Sequence, residues 1–190
     1  MTAEQAAEFQ DKVDVDLDAA RDDLPVLIRL LFGTGARIGE VLGLCWRDVN
    51  LTDHPTEIDG QLLPPSSVWI NGNIVNVPGI GTLRHPGKTP AANRLLGLPH
   101  THRDLLLTHR PADAAPDDPI FRPPTKPAST FRHPDELHHA IRRLRDRIGY
   151  PHFTTHRPTP KPVRTACSCP ALSTWRQCPR WSRPHHCRST

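Results

Sequence analysis

The residues best suited to chemistry stand in "TGARIGE", Thr34 to Glu40. A glycine at 35 permits a tight turn, so an arginine two positions on can project from the start of a helix, where the backbone amides also favour an anion. The guanidinium of Arg37 is a planar fork that can hold a phosphate diester through two hydrogen bonds. Glu40, one turn later, is placed to hold Arg37. Taken alone, the two could equally be an i, i+3 surface pair contributing a few tenths of a kcal/mol. Two further polar residues stand out: Lys88 in the turn sequence "PGKTPAAN", and His156, which closes "YPHFTTH". Lys88 by itself reads as a solvated charge on a hairpin tip.

Those residues need elements to position them. Leu24, Leu27, Ile28 and Leu31 fall at i, i+3, i+4 and i+7, which predicts a helix from Asp22 to Phe32 with both aspartates at its start and Gly33 and Gly35 ending it. A short second helix over 37–44 puts Ile38, Val41, Leu42 and Cys45 on one face. "CWRDVNL" then enters a strand. In "VWINGNIVNV" the dipeptide Asn71-Gly72 between β-branched residues predicts a hairpin, and a later strand is expected from Arg94 to Leu98. "HRDLLLTHR" and "DELHHAIRRLRDRIG" return to helical spacing, the second with Leu137, Ile141, Leu144 and Ile148 on its apolar face and Gly149 past its end. The proline-rich stretch between Pro111 and Pro127 is a connector. The expected fold is mainly α with a small antiparallel β-sheet.

In that context "LLFGTGARIGEVLGLCWRDVNL" closely resembles the first catalytic motif of the tyrosine recombinases, the phage-integrase family. The shared pattern is an apolar helix, then T-G-x-R-x-G-E, then L-x-L-x-W-x-D, matched here by Thr34, Gly35, Arg37, Gly39, Glu40, Leu42, Leu44, Trp46 and Asp48. The resemblance covers about residues 20 to 156 and implies the front part of a catalytic domain. It implies Arg37 as a phosphate ligand, Lys88 as proton donor to the departing 5′ oxygen, Glu40 in support, and His156 as the histidine of an H-x-x-R motif. DNA is the partner so implied, with an intact recombinase protomer as a second, in site-specific recombination or integration.

The pattern then stops. Position 159 is Thr159 where the family has its second arginine, and Arg157 stands beside the histidine in the wrong register. Tyr150 is the sole tyrosine and precedes His156, so it does not fit as the attacking nucleophile and is expected to pack against the preceding helix. Without a nucleophile the covalent step is lost, and the expectation is a truncated, inactive recombinase. Residues 1–21 are expected to be a lead-in segment, too short for the helical core-binding domain that the family usually places first.

Composition changes at the same point. Arg157 to Thr190 holds seven of the 24 basic residues and no acid, which leaves residues 1–156 with 17 bases against 20 acids. The net charge of +4 therefore belongs to the tail, a Pro- and Cys-rich segment expected to be disordered or out of frame, able to hold DNA only weakly and with steep salt dependence. Cys167, Cys169, Cys178, Cys187, His185 and His186 are zinc-type ligands, which keeps a zinc-binding tail as an alternative, although a single C-x-C lacks a second paired knuckle. No cofactor or metal is assigned to the body. The polar start and the absence of a long apolar run point to an intracellular, cytoplasmic protein without a membrane segment.

Overall fold

A computed structural model of the chain describes residues 2–86, 93–123 and 125–154. Lys88, His156 and the tail from 157 to 190 lie outside the described residues, so the expectations placed on them have no structural counterpart here. The described elements are α1 (Ala3–Asp14), α2 (Leu17–Arg21), α3 (Leu24–Thr34), α4 (Ile38–Leu42), a 3-10 turn (Trp46–Asp48), strands β1 (Val49–Asn50), β2 (Thr56–Ile58), β3 (Gln61–Leu63), β4 (Ser67–Ile70), β5 (Gly72–Val77), β6 (Gly81–Pro86) and β7 (Arg94–Gly97), then α5 (His100–His109) and α6 (Pro134–Arg147). Helices flanking small antiparallel sheets agree with the fold class expected from periodicity.

α3 is the central element. Its Leu24, Leu27, Ile28, Leu30 and Leu31 are all buried, because an apolar residue recurs on nearly every face of a helix surrounded by α1, α2 and α5. Asp22 and Asp23 stand at its start as expected: Asp23 is the N-cap residue, in the left-handed region at φ 57° with no side-chain cap bond, while Asp22 accepts from the buried Arg132 through its backbone oxygen at 2.9 Å and its carboxylate at 3.0 Å. One expectation needs correction: Gly33 does not end the helix. Termination falls on Gly35, at φ 62°, whose N–H reaches the Leu31 carbonyl.

Gly33 has a different use. A side chain there would meet the ring of His102 at 2.4 Å, so its absence lets α5 close on α3, and the His102 Nε2 lies 2.9 Å from the Arg29 carbonyl oxygen. Burial lowers the His102 pKa and keeps that ring neutral.

The Asn71-Gly72 hairpin does not form. β4 pairs instead with β1 and β7, antiparallel on both sides, and β5 pairs with β6 in a separate two-stranded ribbon; β2 and β3 form a third small sheet. A primed turn needs positive φ at its central residues, and Gly72 does not adopt it. The reversal occurs further on, between the paired residues Val77 and Gly81, where Gly79 and Gly81 supply φ of 79° and 110°.

α1 and α2 extend the core ahead of the first helix foreseen from the sequence. Phe9 and Val13 are almost fully buried, and the Phe9 ring lies 4.3 Å from that of Phe153, 5.3 Å from Tyr150 and 6.0 Å from Phe32. Chain start and the approach to His156 are thereby packed on one another. α6 behaves as its periodicity predicts, with Leu137, Ala140, Ile141 and Leu144 buried and Gly149 at φ 83° beyond its end.

Candidate phosphate-binding site

Arg37 sits in the gap between α3 and α4. Gly35 reverses the chain, Thr34 ties the turn by donating its hydroxyl to the Leu30 carbonyl while accepting the Ala36 N–H at 3.2 Å, and Arg37 follows in extended conformation at φ −76°, ψ 153°. Its side chain is exposed. No carboxylate among the described residues forms an ion pair with its guanidinium.

Glu40 supports it differently from the expected side-chain pairing. The Glu40 residue is only 7% exposed, and its Oε2 accepts the backbone N–H of Arg37 at 2.8 Å. The guanidinium that Glu40 engages is that of Arg94, at the start of β7, through a two-pronged contact of 3.1 Å to Oε1 and 2.8 Å to Oε2. Burial pushes the Glu40 carboxyl up, but the Arg94 bonds and the Arg37 N–H outweigh it and hold the pKa below its ordinary value. Glu40 is thus a buried anion whose charge is already matched, which leaves the Arg37 fork with its donors turned outward.

The helix that Arg37 opens is short. Five residues give α4 little more than one turn, so the aligned-dipole contribution expected from the sequence is small, and an anion at this position would have to be held by the guanidinium itself. α4 does lie tightly on β5: a side chain at Gly39 would stand 2.3 Å from Asn73 Oδ1.

Beside this pair is a second polar cluster that sequence reasoning missed. Asp48 is fully buried, and its carboxylate accepts the Cys45 N–H at 2.8 Å, Asn71 Nδ2 at 3.0 Å and Arg84 Nη2 at 2.7 Å. Arg84 also donates to Asn71 Oδ1. Room for the Arg84 side chain comes from Gly72, whose Cβ would lie 2.9 Å from Arg84 Nε. Asn71-Gly72 was legible as special, but for a role in this cluster and not as a turn. Cys45 is buried with its thiol pKa pushed up to about 11, chiefly by desolvation, so it is no nucleophile.

Tyr150 packs on α1 and not only on the helix before it. Its ring meets Phe9 edge-on and Lys12 Nζ lies 5.1 Å above it; desolvation and the neighbouring Glu8 carboxylate raise the pKa of its hydroxyl. A cavity of about 310 Å³ lies between α6 and the approach to His156, lined by His138, Arg142, Arg145, Phe153 and Thr154 among others. A larger one, about 410 Å³, is lined by Asp23, Trp46, His109 and their neighbours and includes none of the candidate residues. Among the described residues there is no cluster of metal-ligating side chains and no helix long and apolar enough to cross a membrane.

No protein-family model and no curated protein matches the chain. Solved structures do. The Tn1549 transposon integrase in complex with a circular intermediate DNA aligns at TM-score 0.59 with 15% sequence identity over 85% of this chain. The chain's fold is similar to part of that integrase's fold. A variant of that integrase in complex with transposon right end DNA aligns at TM-score 0.58 and 16% identity over 86% of the chain. The similarity spans about half of each solved chain, 47% and 48% respectively.

Proposed function

We propose that this chain is a recombinase-like DNA-binding protein whose Arg37 holds a backbone phosphate, and that it does not carry out strand transfer unaided. The observation that supports this most is the division of labour around Glu40: Arg94 neutralises the buried carboxylate, Glu40 fixes the Arg37 backbone, and the Arg37 side chain stays exposed. A guanidinium so held suits a phosphate oxygen pair. The integrase-like fold and the T-G-x-R-x-G-E motif make DNA the favoured source of that phosphate. Lys88 and His156 belong to the same proposal as proton donor to the 5′ oxygen and as second phosphate-site residue.

In the recombinase reaction a tyrosine oxygen attacks the phosphorus, a 3′-phosphotyrosine forms, and the 5′ oxygen leaves with a proton. The sole tyrosine has its ring packed edge-on against Phe9 and its hydroxyl pKa raised, chiefly by desolvation, so Tyr150 is poorly suited to that attack. What remains is charge stabilisation by Arg37 without a covalent step.

Two measurements test this. Incubation with a nicked DNA duplex, in which a departing fragment diffuses away, is expected to leave no protein–DNA adduct on a denaturing gel; an adduct would overturn the inactive reading. In a duplex-binding assay, Arg37→Ala is expected to weaken binding several-fold. If deletion of residues 157–190 abolishes binding while Arg37→Ala changes nothing, the basic tail is the binder and the proposed site is not.

A further inference from the structure

We infer that Arg94 is a positioning residue for Arg37, acting through Glu40, and is not itself a phosphate ligand. The inference rests on the proposed phosphate-binding role of Arg37 and identifies what sets that residue's geometry.

Arg37, three residues before Glu40, and Arg94, 54 residues after it, meet on one carboxylate. Glu40 Oε2 receives the Arg37 N–H and Arg94 Nη2, each at 2.8 Å, while Oε1 receives Arg94 Nη1 at 3.1 Å. The parallel fork fixes the plane of the carboxylate, because both oxygens are held by one rigid guanidinium. With that plane fixed, Oε2 has one direction left in which to accept, and the Arg37 backbone occupies it.

Arg94 is itself well placed to be rigid. It opens β7 opposite Ile70, the last residue of β4, in the three-stranded sheet that also carries β1. The relay therefore runs from a sheet through a buried carboxylate to the backbone amide of the residue whose side chain faces outward. Were Arg94 removed, the mostly buried Glu40 would lose its closest counter-charge, its pKa would rise because only the Arg37 N–H and charge would still oppose burial, and a carboxylate no longer held by the fork would hold the Arg37 amide less well. A purely structural ion pair would affect stability but leave the number of phosphate contacts as it was.

The test uses the full chain and a short random-sequence duplex, with wild type, Arg37→Ala, Arg94→Gln, Arg94→Lys and the double variant Arg37→Ala/Arg94→Gln. Arg94→Lys keeps the charge but loses the fork, and serves if Arg94→Gln does not fold. Backbone amide exchange at Arg37, measured without DNA, is expected to speed up by about tenfold in either Arg94 variant, the scale of one lost hydrogen bond. Unchanged exchange would overturn the relay irrespective of any DNA result. With DNA, the Arg94 variants are expected to lose affinity as Arg37→Ala does, and the double variant to be no weaker than Arg37→Ala alone. Additive losses would make Arg94 a direct DNA contact and overturn the inference. An Arg37→Ala protein that binds like wild type would sink the proposed site and the DNA half of this inference together, while the exchange result would still decide the relay.

Discussion

Glu40 joins the Arg37 backbone to the Arg94 guanidinium through one carboxylate. In the folded chain its carboxyl is held below its ordinary pKa, by Arg94 and the Arg37 amide acting against burial. A depressed carboxyl contributes stability that is present above the unfolded value, about 4.3, and is lost as pH falls through the folded value. Denaturant unfolding across that acid range is therefore expected to show a loss that Glu40→Gln largely removes. At neutral pH the same substitution should destabilise by about 1–3 kcal/mol, since Arg94 keeps its charge and loses its partner. A Glu40→Gln protein with wild-type stability at both ends of the range would show that the pair is energetically idle. The sequence announced Arg37 and Glu40 through their spacing. It could not announce Arg94 as partner, because that contact joins residues 54 apart and depends on the register of β7 against β4.

At the scale of elements, α3 and α6 were legible because each carries a helical stripe of aliphatic residues long enough to fix its buried face. α1 was not: Phe9 and Val13 are its main apolar anchors, too thin a stripe to distinguish a packed helix from a polar lead-in. The supposed hairpin at Asn71-Gly72 failed for a related reason, since local turn preference was overridden by the buried Asp48, which draws Asn71 and Arg84 into one cluster. Gly33 shows how an element can be legible while its contacts are not. Helix propensity alone says that Gly33→Ala should stabilise α3 by up to about 1 kcal/mol. The His102 ring, 2.4 Å from where the new carbon would stand and held to the Arg29 carbonyl, reverses the sign. We expect a net loss of about 1–3 kcal/mol by thermal or chemical unfolding, as for other overpacked sites; a stabilised variant would mean that α5 is free to retreat.

For the described residues as a whole, the aromatic cluster of Phe9, Phe32, Tyr150 and Phe153 ties the beginning of the chain to the segment that approaches His156. α1 is thus part of the same core as the candidate site's scaffold. Phe9→Ala is expected to destabilise by about 3–5 kcal/mol and to lower Tm by on the order of 10 °C, in one transition. Two separate transitions, with only the first moved, would instead make α1 an independent attachment. Fold class and the exposed position of Arg37 at the start of α4 could be read from the sequence because they rest on local periodicity and one compact motif. The three small sheets, the Glu40–Arg94 relay and the N-terminal contribution could not, since each is set by long-range packing.

If the Arg37 guanidinium carries a phosphate contact, the loss of that contact is countable in the salt dependence of duplex binding. The slope of log affinity against log salt for duplex binding falls by about 0.9 for each phosphate contact removed. Relative to wild type, Arg37→Ala is expected to bind more weakly and with a slope shallower by about 1, with stability unchanged to within about 0.5 kcal/mol because the side chain is exposed. Identical slopes and identical affinities would contradict a phosphate contact at Arg37.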